Sequence, residues 1–282
     1  MLSFFEPIST ITLEMSKQQK VVTYTDPLND DFAGTKIKRI PLGPKFKYVH
    51  KNIFWRFFAT IIYRVFALPI LWCVAKIGYG VKVYGKKNIR EIRHKGVFFY
   101  GNHTMIADAW NPQIFAMGGK RGYILANQDA TSIKGVRWLV QMMGCMPVPE
   151  TLEENAAFKE AIAYRIKQKA GIVIYPERHI WPYYTHIRPF PDDSFVYPAE
   201  LLAPVVAIAV TYRQRWLFKK CSPRMTMHIS KPFYPDPKLS LADRKKQLRD
   251  DVYAFLLRHA SEDENVEWIR YVKVDKSKER AD

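Results

Sequence analysis

From Val81 onward the chain repeats one pattern, in which short runs of β-branched and aromatic residues are separated by stretches long enough for a helix. The runs are VKVYG, GVFFYGN, RGYILAN, GIVIYPE, PVVAIAV and RMTMHIS. Strands alternating with helix-length connections predict an α/β fold, a mostly parallel sheet flanked by helices. Between the runs, Ile133 to Met143 and Leu152 to Lys169 read as helices. Ser240 caps a last amphipathic helix, LADRKKQLRDDVYAFLLRHA, with Asp243 at the capping-box position.

Ahead of this region lies the second constraint. Between Phe32 and Arg90 there is no Asp or Glu, but thirteen Lys or Arg, among them Lys36, Lys38, Arg39, Lys45, Lys47 and Lys51. The whole chain carries a formal charge of +17, so polyanionic partners are expected, whether nucleic acid, anionic lipid or an acidic carrier protein. Inside the basic stretch, Ile53 to Gly80 is rich in aromatic and aliphatic residues, with Arg56, Arg64 and Lys76 recurring and Pro69 at its middle. Its longest uncharged run, Val65 to Ala75, falls short of the roughly 20 apolar residues a bilayer crossing needs. It reads as two short amphipathic helices meeting at Pro69, lying in the membrane interface. Trp55 and Trp72 would sit at headgroup depth, with Arg56 and Arg64 snorkelling to the headgroups.

Residues 1–50 mix polar residues and prolines without periodicity and read as a loosely structured arm. The first residues lack a basic start followed by an apolar core, so no secretory signal is expected. Three cysteines, Cys73, Cys145 and Cys221, have no short metal-binding spacing and suit a reducing compartment. The expected organisation is therefore an arm (1–50), interfacial docking helices (51–80), an α/β domain (81–235), and a C-terminal amphipathic helix with a polar tail (236–282). The expected location is the cytoplasmic face of a membrane, peripheral or monotopic.

The strand GVFFYGN runs into His103, and Asp108 follows within GNHTMIADAWNPQIF. Spacing alone is weak. Asn111-Pro112, however, looks like a helix N-cap and first helical position, which puts His103 and Asp108 in the turn between a buried strand and a helix. In such a turn an aspartate holding one imidazole nitrogen fixes the tautomer and leaves the other nitrogen to take a hydroxyl proton.

NHTMIAD resembles the NH-x4-D signature of the lysophospholipid acyltransferase family, in particular the 1-acylglycerol-3-phosphate acyltransferases. MMGCMPVPE, with Gly144, resembles the family's second block; GIVIYPERHIWP the third; LLAPVVAIAV the fourth. The four occur in the family's order across residues 97 to 210. The resemblance implies a parallel α/β sheet and transfer of a fatty acyl group from an acyl thioester to a lysophospholipid hydroxyl. His103 would be the base, Asp108 its orienter, Gly144 part of the glycerophosphate site, and Glu177 the residue that positions the acceptor or its loop. No cofactor is implied; acyl-CoA or an acidic acyl carrier protein is the co-substrate.

Two departures bear on the acceptor. Pro176-Glu177-Arg178-His179 stands where Pro-Glu-Gly-Thr-Arg is usual, and the second block ends in Val148-Pro149-Glu150 without the common arginine. The phosphate is then expected to be met by Arg178, by Arg188, or by the cluster Arg213, Arg215 and Lys219. Other readings use the same residues. His103, Asp108, Glu177 and His179 form an N/O ligand set for a metal-dependent hydrolase if the strand ends adjoin. The charge and aromatic content alone would suit a nucleic-acid binder or a non-enzymatic membrane protein, but the basic residues flank an apolar stretch and no nucleic-acid partner is expected.

Overall fold

The structure, a computed structural model, describes residues 19–33, 39–43, 46–132, 135–262 and 264–274. Much of the expected arm, with Lys36, Lys38 and Lys45 of the basic run and the first two residues of the helix read from Ile133, lies outside the described residues. In chain order the strands are β1 (Lys20–Tyr24), β2 (Lys82–Tyr84), β3 (Val97–Gly101), β4 (Gly122–Ala126), β5 (Cys145–Pro147), β6 (Gly171–Ile174), β7 (Val205–Arg213), β8 (Arg224–Ile229) and β9 (Ile269–Lys273). The helices are α1 (Ile53–Ile61), α2 (Leu68–Cys73), α3 (Asn111–Phe115), α4 (Arg137–Met142), α5 (Leu152–Lys167), α6 (Val196–Leu201) and α7 (Leu241–Glu262).

The main sheet is mostly parallel, in the order β2-β8-β7-β3-β6-β4-β5. Only β8 against β7 is antiparallel, so β8 and its parallel neighbour β2 run against the other five strands. The central strands are apolar on both faces because helices cover both. Phe98, Tyr100, Ile172, Ile174, Val205 and Ala207 pack one face against Phe158 and Ile162 of α5, Ala199 of α6, and Leu248, Val252 and Leu256 of α7. The alternate residues Val97, Phe99, Val173, Val206, Ile208 and Val210 pack the other face with Phe115 of α3 and Ala75.

This topology dictates where a crevice opens. From β3 the chain crosses through α3 to β4 on one side, and from β6 it crosses through α6 to β7 on the other, although β3 and β6 are neighbours. The connections therefore leave on opposite faces and in opposite directions. That leaves a gap beyond the carboxyl ends of β3 and β6, where open α/β sheets bind ligands. Asn102 extends the β3–β7 ladder past the end of β3: its amide donates to Val210 O at 2.9 Å and its oxygen accepts from Val210 N at 2.8 Å.

The apolar helix pair is present as α1 and α2, but Pro69 does not separate them. Asn52 caps the start, its side-chain oxygen accepting from Phe54 N and Trp55 N at 2.9 and 3.1 Å. A π-helical stretch, Ile62–Ala67, joins α1 to α2, with Leu68 N bonded to Tyr63 O; a second, Val74–Gly78, follows α2. Proline lacks an N–H and crowds the carbonyl one turn before it, and the widened turn ahead of Pro69 relieves both. The result is one helix from Ile53 to Gly78, long and apolar enough to cross a membrane by length and composition. It is not a core helix: only 6% of its most apolar window is buried, and Phe54, Phe57, Phe58, Phe66, Ile70 and Ile77 are exposed.

Within the segment read as a loose arm, β1 is an ordered strand paired in parallel with β9, from Lys20↔Ile269 to Tyr24↔Lys273. Trp181 lies beneath this small sheet, stacked on Tyr271 and edge-on to Tyr24 and Phe32. At α7 the capping interaction expected of Ser240 is present, its oxygen 3.2 Å from Asp243 N and 2.6 Å from Asp243 Oδ2. The Asn111-Pro112 signal is displaced by one residue: Trp110 is the N-cap and Asn111 the first helical residue.

Candidate active site

The turn after β3 is built on two buried carboxylates. Asp108 Oδ2 accepts from Thr104 N at 2.7 Å, from Met105 N at 2.8 Å and from His103 Nδ1 at 3.0 Å. Three donors converge on this one oxygen, and the side chain is only 1% exposed. The contact sets His103 as the Nδ1–H tautomer and leaves Nε2 with a free lone pair. The His103 side chain keeps 15% of its surface open. Its ring lies flat on Tyr175, with centroids 4.3 Å apart and planes at 12°, and the Tyr175 hydroxyl donates to Asp108 O at 2.7 Å.

Glu177 is the second carboxylate. One oxygen accepts from the His103 backbone N–H at 3.0 Å and from Arg188 Nη2 at 3.1 Å; the other accepts from Arg188 N at 3.0 Å. Glu177 and Arg188 are both buried to 1% exposure. Arg188 also donates to the carbonyls of His179 and Pro27, and its guanidinium stacks on Trp181 at 4.7 Å. The loop WPYYTHIRPF closes over the same turn: Trp181 N donates to His103 O and Tyr183 N to Thr104 O, each at 3.1 Å. Tyr212 from β7 donates to Thr104 Oγ1 at 2.7 Å. Burial, and next the Asp108 charge, push the Tyr175 and Tyr212 phenols well above the ordinary value, so both remain neutral donors.

The structure thus brings together His103, Asp108, Glu177 and Arg188, with different standing. Arg188, expected as a phosphate cation, is the buried counter-charge of Glu177 and has no surface to offer a headgroup. Arg178 is exposed but leans to Asp193 at 3.6 Å, beside Phe195 of the core on the opposite face from the His103–Tyr175 stack. Arg213, at the carboxyl end of β7, is bonded to the Gly80 carbonyl; Arg215 donates to Gly78 O at 3.0 Å. Gly144 stands at the start of β5, the end away from His103. Its φ of +100° and the 2.4 Å between a built Cβ and Gly122 O reserve it for glycine, a turn-and-packing requirement.

The backbone N–H groups that follow Asn102 and Glu177, where an oxyanion could look for donors, are already engaged. The N–H groups of His103, Thr104 and Met105 hold carboxylates, and those of Arg178 and His179 bond Tyr175 O and Glu177 O. The metal-ligand alternative does not assemble either: Glu177 is committed to Arg188, His179 Nδ1 lies 3.5 Å from Asp31, and among the described residues no three His, Cys, Asp or Glu group together. Sequence reasoning missed Tyr175 and Tyr212. The first was within reach, since Tyr175 directly precedes Pro176-Glu177 at the end of an expected strand.

On the side of the Ile53–Gly78 helix, Trp55 stacks on His50 with centroids 4.0 Å apart, and Trp72 is exposed. Arg56 and Arg64 turn inward and line a cavity against the domain. A smaller, almost wholly apolar cavity of about 150 Å³ lies between the helix, α3 and α4, lined by Leu68, Leu71, Ala109, Trp110, Val140 and Met143. Ala109, which lines this space, follows Asp108 in the chain; neither His103 nor Asp108 lines it.

No curated protein matches the chain in sequence. Among solved structures it is similar to the 1-acyl-sn-glycerophosphate (LPA) acyltransferase PlsC from Thermotoga maritima, with a TM-score of 0.52 over 74% of this chain and 94% of that one, at 15% identity. That likeness concerns the fold. The sequence of residues 80–211 matches the Acyltransferase family, and the match takes in β3, the His103–Asp108 turn, Glu177 and most of β7. A chain whose described site is a histidine–aspartate turn at the switch point of a parallel sheet thus carries, over residues 80–211, a domain of the Acyltransferase family.

Proposed function

We propose that the protein transfers a fatty acyl group from an acyl thioester to the hydroxyl of a lysophospholipid at a membrane surface, with 1-acylglycerol-3-phosphate as the leading acceptor. The observation that carries this reading is the His103–Asp108 pair, 3.0 Å apart, in the turn at the crevice beyond β3 and β6, with the next residue, Ala109, lining an apolar cavity. Asp108 holds Nδ1–H, and Nε2 takes the acceptor hydroxyl's proton as that oxygen attacks the thioester carbonyl. The tetrahedral intermediate collapses to the ester, the carbon–sulfur bond breaks, and the departing thiolate recovers the proton from the imidazolium. General-base assistance of this kind contributes on the order of 10²- to 10⁴-fold.

The donor is coenzyme A or an acidic acyl carrier protein, and the apolar cavity beside Ala109 suits its acyl chain. Taking a long chain from a bilayer into water costs about 0.8 kcal/mol per methylene, so the reaction belongs at the membrane. Two features support that placement. The Ile53–Gly78 helix is held near its middle, where Gly122 N donates to the Tyr63 hydroxyl oxygen at 3.2 Å, and at its end, where Lys76 donates to Val81 O at 2.7 Å, while its outer face is exposed and aromatic. The β7–β8 loop carries Trp216 at 89% exposure beside exposed Leu217 and Phe218, and Arg215 ties it to the helix end. A helix held along a domain embeds only its outer face, which favours a monotopic arrangement, here assigned to the cytoplasmic side. With Arg188 buried and Arg178 turned away, Arg213, at the carboxyl end of β7, is the arginine left as the candidate for an acceptor phosphate.

The test is to give the purified chain, on vesicles, labelled acyl-CoA or acyl carrier protein thioester with lysophosphatidic acid and other lysophospholipids. Esterified lysophosphatidic acid as the main product supports the reading. Free fatty acid as the sole product with every acceptor, or no turnover of either thioester, contradicts it.

A further inference from the structure

A second cavity, of about 520 Å³, opens between the first half of the membrane helix and the domain. It lies away from the reacting pair. Its inner wall includes Arg121 and Tyr123 at the start of β4 and Ala170 just before β6, the amino ends of strands whose carboxyl ends face the His103 crevice. Among the described residues four arginines line it and no carboxylate does: Arg56 and Arg64 from the helix, Arg121 and Arg165 from the domain. Arg56, Thr60 and Arg64 recur at four-residue intervals, so the polar stripe of the helix is turned inward and its aromatic face outward.

The cations on the domain side are held ready. The Arg121 guanidinium lies 3.6 Å from the Tyr63 ring, and that of Arg165 lies 4.4 Å from the Tyr123 ring. Their hydrogen bonds go to neutral groups: Arg121 to Met142 O, and Arg165 to Tyr48 O and Gln168 Oε1. Arg121 Nη1, Arg165 Nε and Tyr48 Oη are buried with no partner among the described residues. No salt bridge joins any of the four arginines to a carboxylate among those residues. Like charges gathered beneath an apolar surface, with Arg64 bonded, among those residues, only to the Gly119 carbonyl and with Arg121 Nη1 and Arg165 Nε left without a partner, are an arrangement completed by an anion. Planar guanidinium forks match phosphate oxygens.

We propose that this cavity is a second, non-catalytic site that binds the phosphate of an anionic phospholipid headgroup. A lipid is favoured over free phosphate because two of the four cations stand on the helix whose outer face carries exposed Phe57, Phe58 and Phe66, so a phosphate held inside leaves acyl chains beside an apolar surface. Basic pockets at the base of membrane helices hold phospholipid headgroups in this way. Binding also removes the mutual repulsion of the arginines, so occupancy stabilises the seat of the helix.

The test titrates the full chain in neutral detergent with dihexanoyl phosphatidic acid below its micellar concentration, with dihexanoyl phosphatidylcholine, inorganic phosphate and adenosine 3′,5′-bisphosphate as separate arms, read by calorimetry and by thermal melting. The expected result is saturable binding of the anionic lipid with a raised melting temperature. Arg56→Gln with Arg64→Gln, both exposed helix positions, should weaken it at least tenfold, and Arg165→Gln should do so as well, while His103→Ala leaves it unchanged. Equal binding of the zwitterionic lipid, full displacement by inorganic phosphate or the nucleotide, or undiminished affinity in the helix double variant each overturns the proposal. The helix variant keeps the test decisive if Arg165→Gln fails to fold.

Discussion

Replacing Glu177 by Gln separates two roles for this carboxylate, a contact to the acceptor and a brace behind the histidine turn. In the structure its oxygens receive the His103 N–H, the Arg188 N–H and Arg188 Nη2, all within 3.1 Å, and both side chains are withdrawn from solvent. Glutamine keeps the shape but removes the charge and turns an amide N–H₂ toward a guanidinium. Breaking a buried pair by neutralising one partner costs about 3–5 kcal/mol, chiefly because the other charge is left uncompensated. At roughly 2–4 °C per kcal/mol for a domain of this size, the melting temperature should fall by about 6–20 °C. Thermal unfolding in detergent measures this, and Glu177→Gln with Arg188→Met supplies the cycle. Removing both charges should recover a large part of the loss, since no unpaired ion remains. If Glu177→Gln melts like the wild type and only the apparent KM for the acceptor rises, the brace is refuted and Glu177 is a substrate ligand.

Asp108→Asn keeps an acceptor for the two turn N–H groups but places an amide where the carboxylate oxygen Oδ1 has no partner, and it frees the imidazole tautomer; kcat should fall about 10²- to 10⁴-fold in the acyl-transfer assay with a smaller change in KM. Gly144→Ala drives a Cβ to 2.4 Å from Gly122 O at a positive φ, so it should lower the melting temperature and leave the KM for the acceptor unchanged in whatever protein still folds, whereas a rise in KM alone would return Gly144 to the binding site. Trp216→Ala with Phe218→Ala removes exposed rings from the β7–β8 loop and should reduce sedimentation with anionic vesicles several-fold at unchanged melting temperature; unchanged sedimentation would separate the loop from the membrane.

What could be read in the sequence is what is local. The strand runs are legible because a sheet covered on both faces must be apolar at consecutive positions, and His103 meets Asp108 because a single turn carries both. Pro69 misled: its chemistry argues for a break, but packing of Tyr63 against Gly122 and Arg121 holds the helix through a π turn that no propensity announces. Arg188 looked like a cation available to a headgroup, since nothing local says that a loop will fold it onto Glu177 eleven residues earlier. β1 was lost in a polar arm because its partner β9 lies at the other end of the chain. The inward face of Arg56 and Arg64 is likewise a tertiary fact. From sequence they read as snorkelling cations, and only the placement of Arg121 and Arg165 opposite them makes a basic cavity.

The central claim is that one imidazole, oriented by Asp108, ionises the acceptor hydroxyl. It is tested most directly by single-turnover transfer of a labelled acyl thioester to lysophosphatidic acid on vesicles, comparing wild type with His103→Ala at matched melting temperature. The account predicts a fall in transfer rate of about 10²- to 10⁴-fold, with acceptor binding retained; transfer at the wild-type rate by the alanine variant would contradict it.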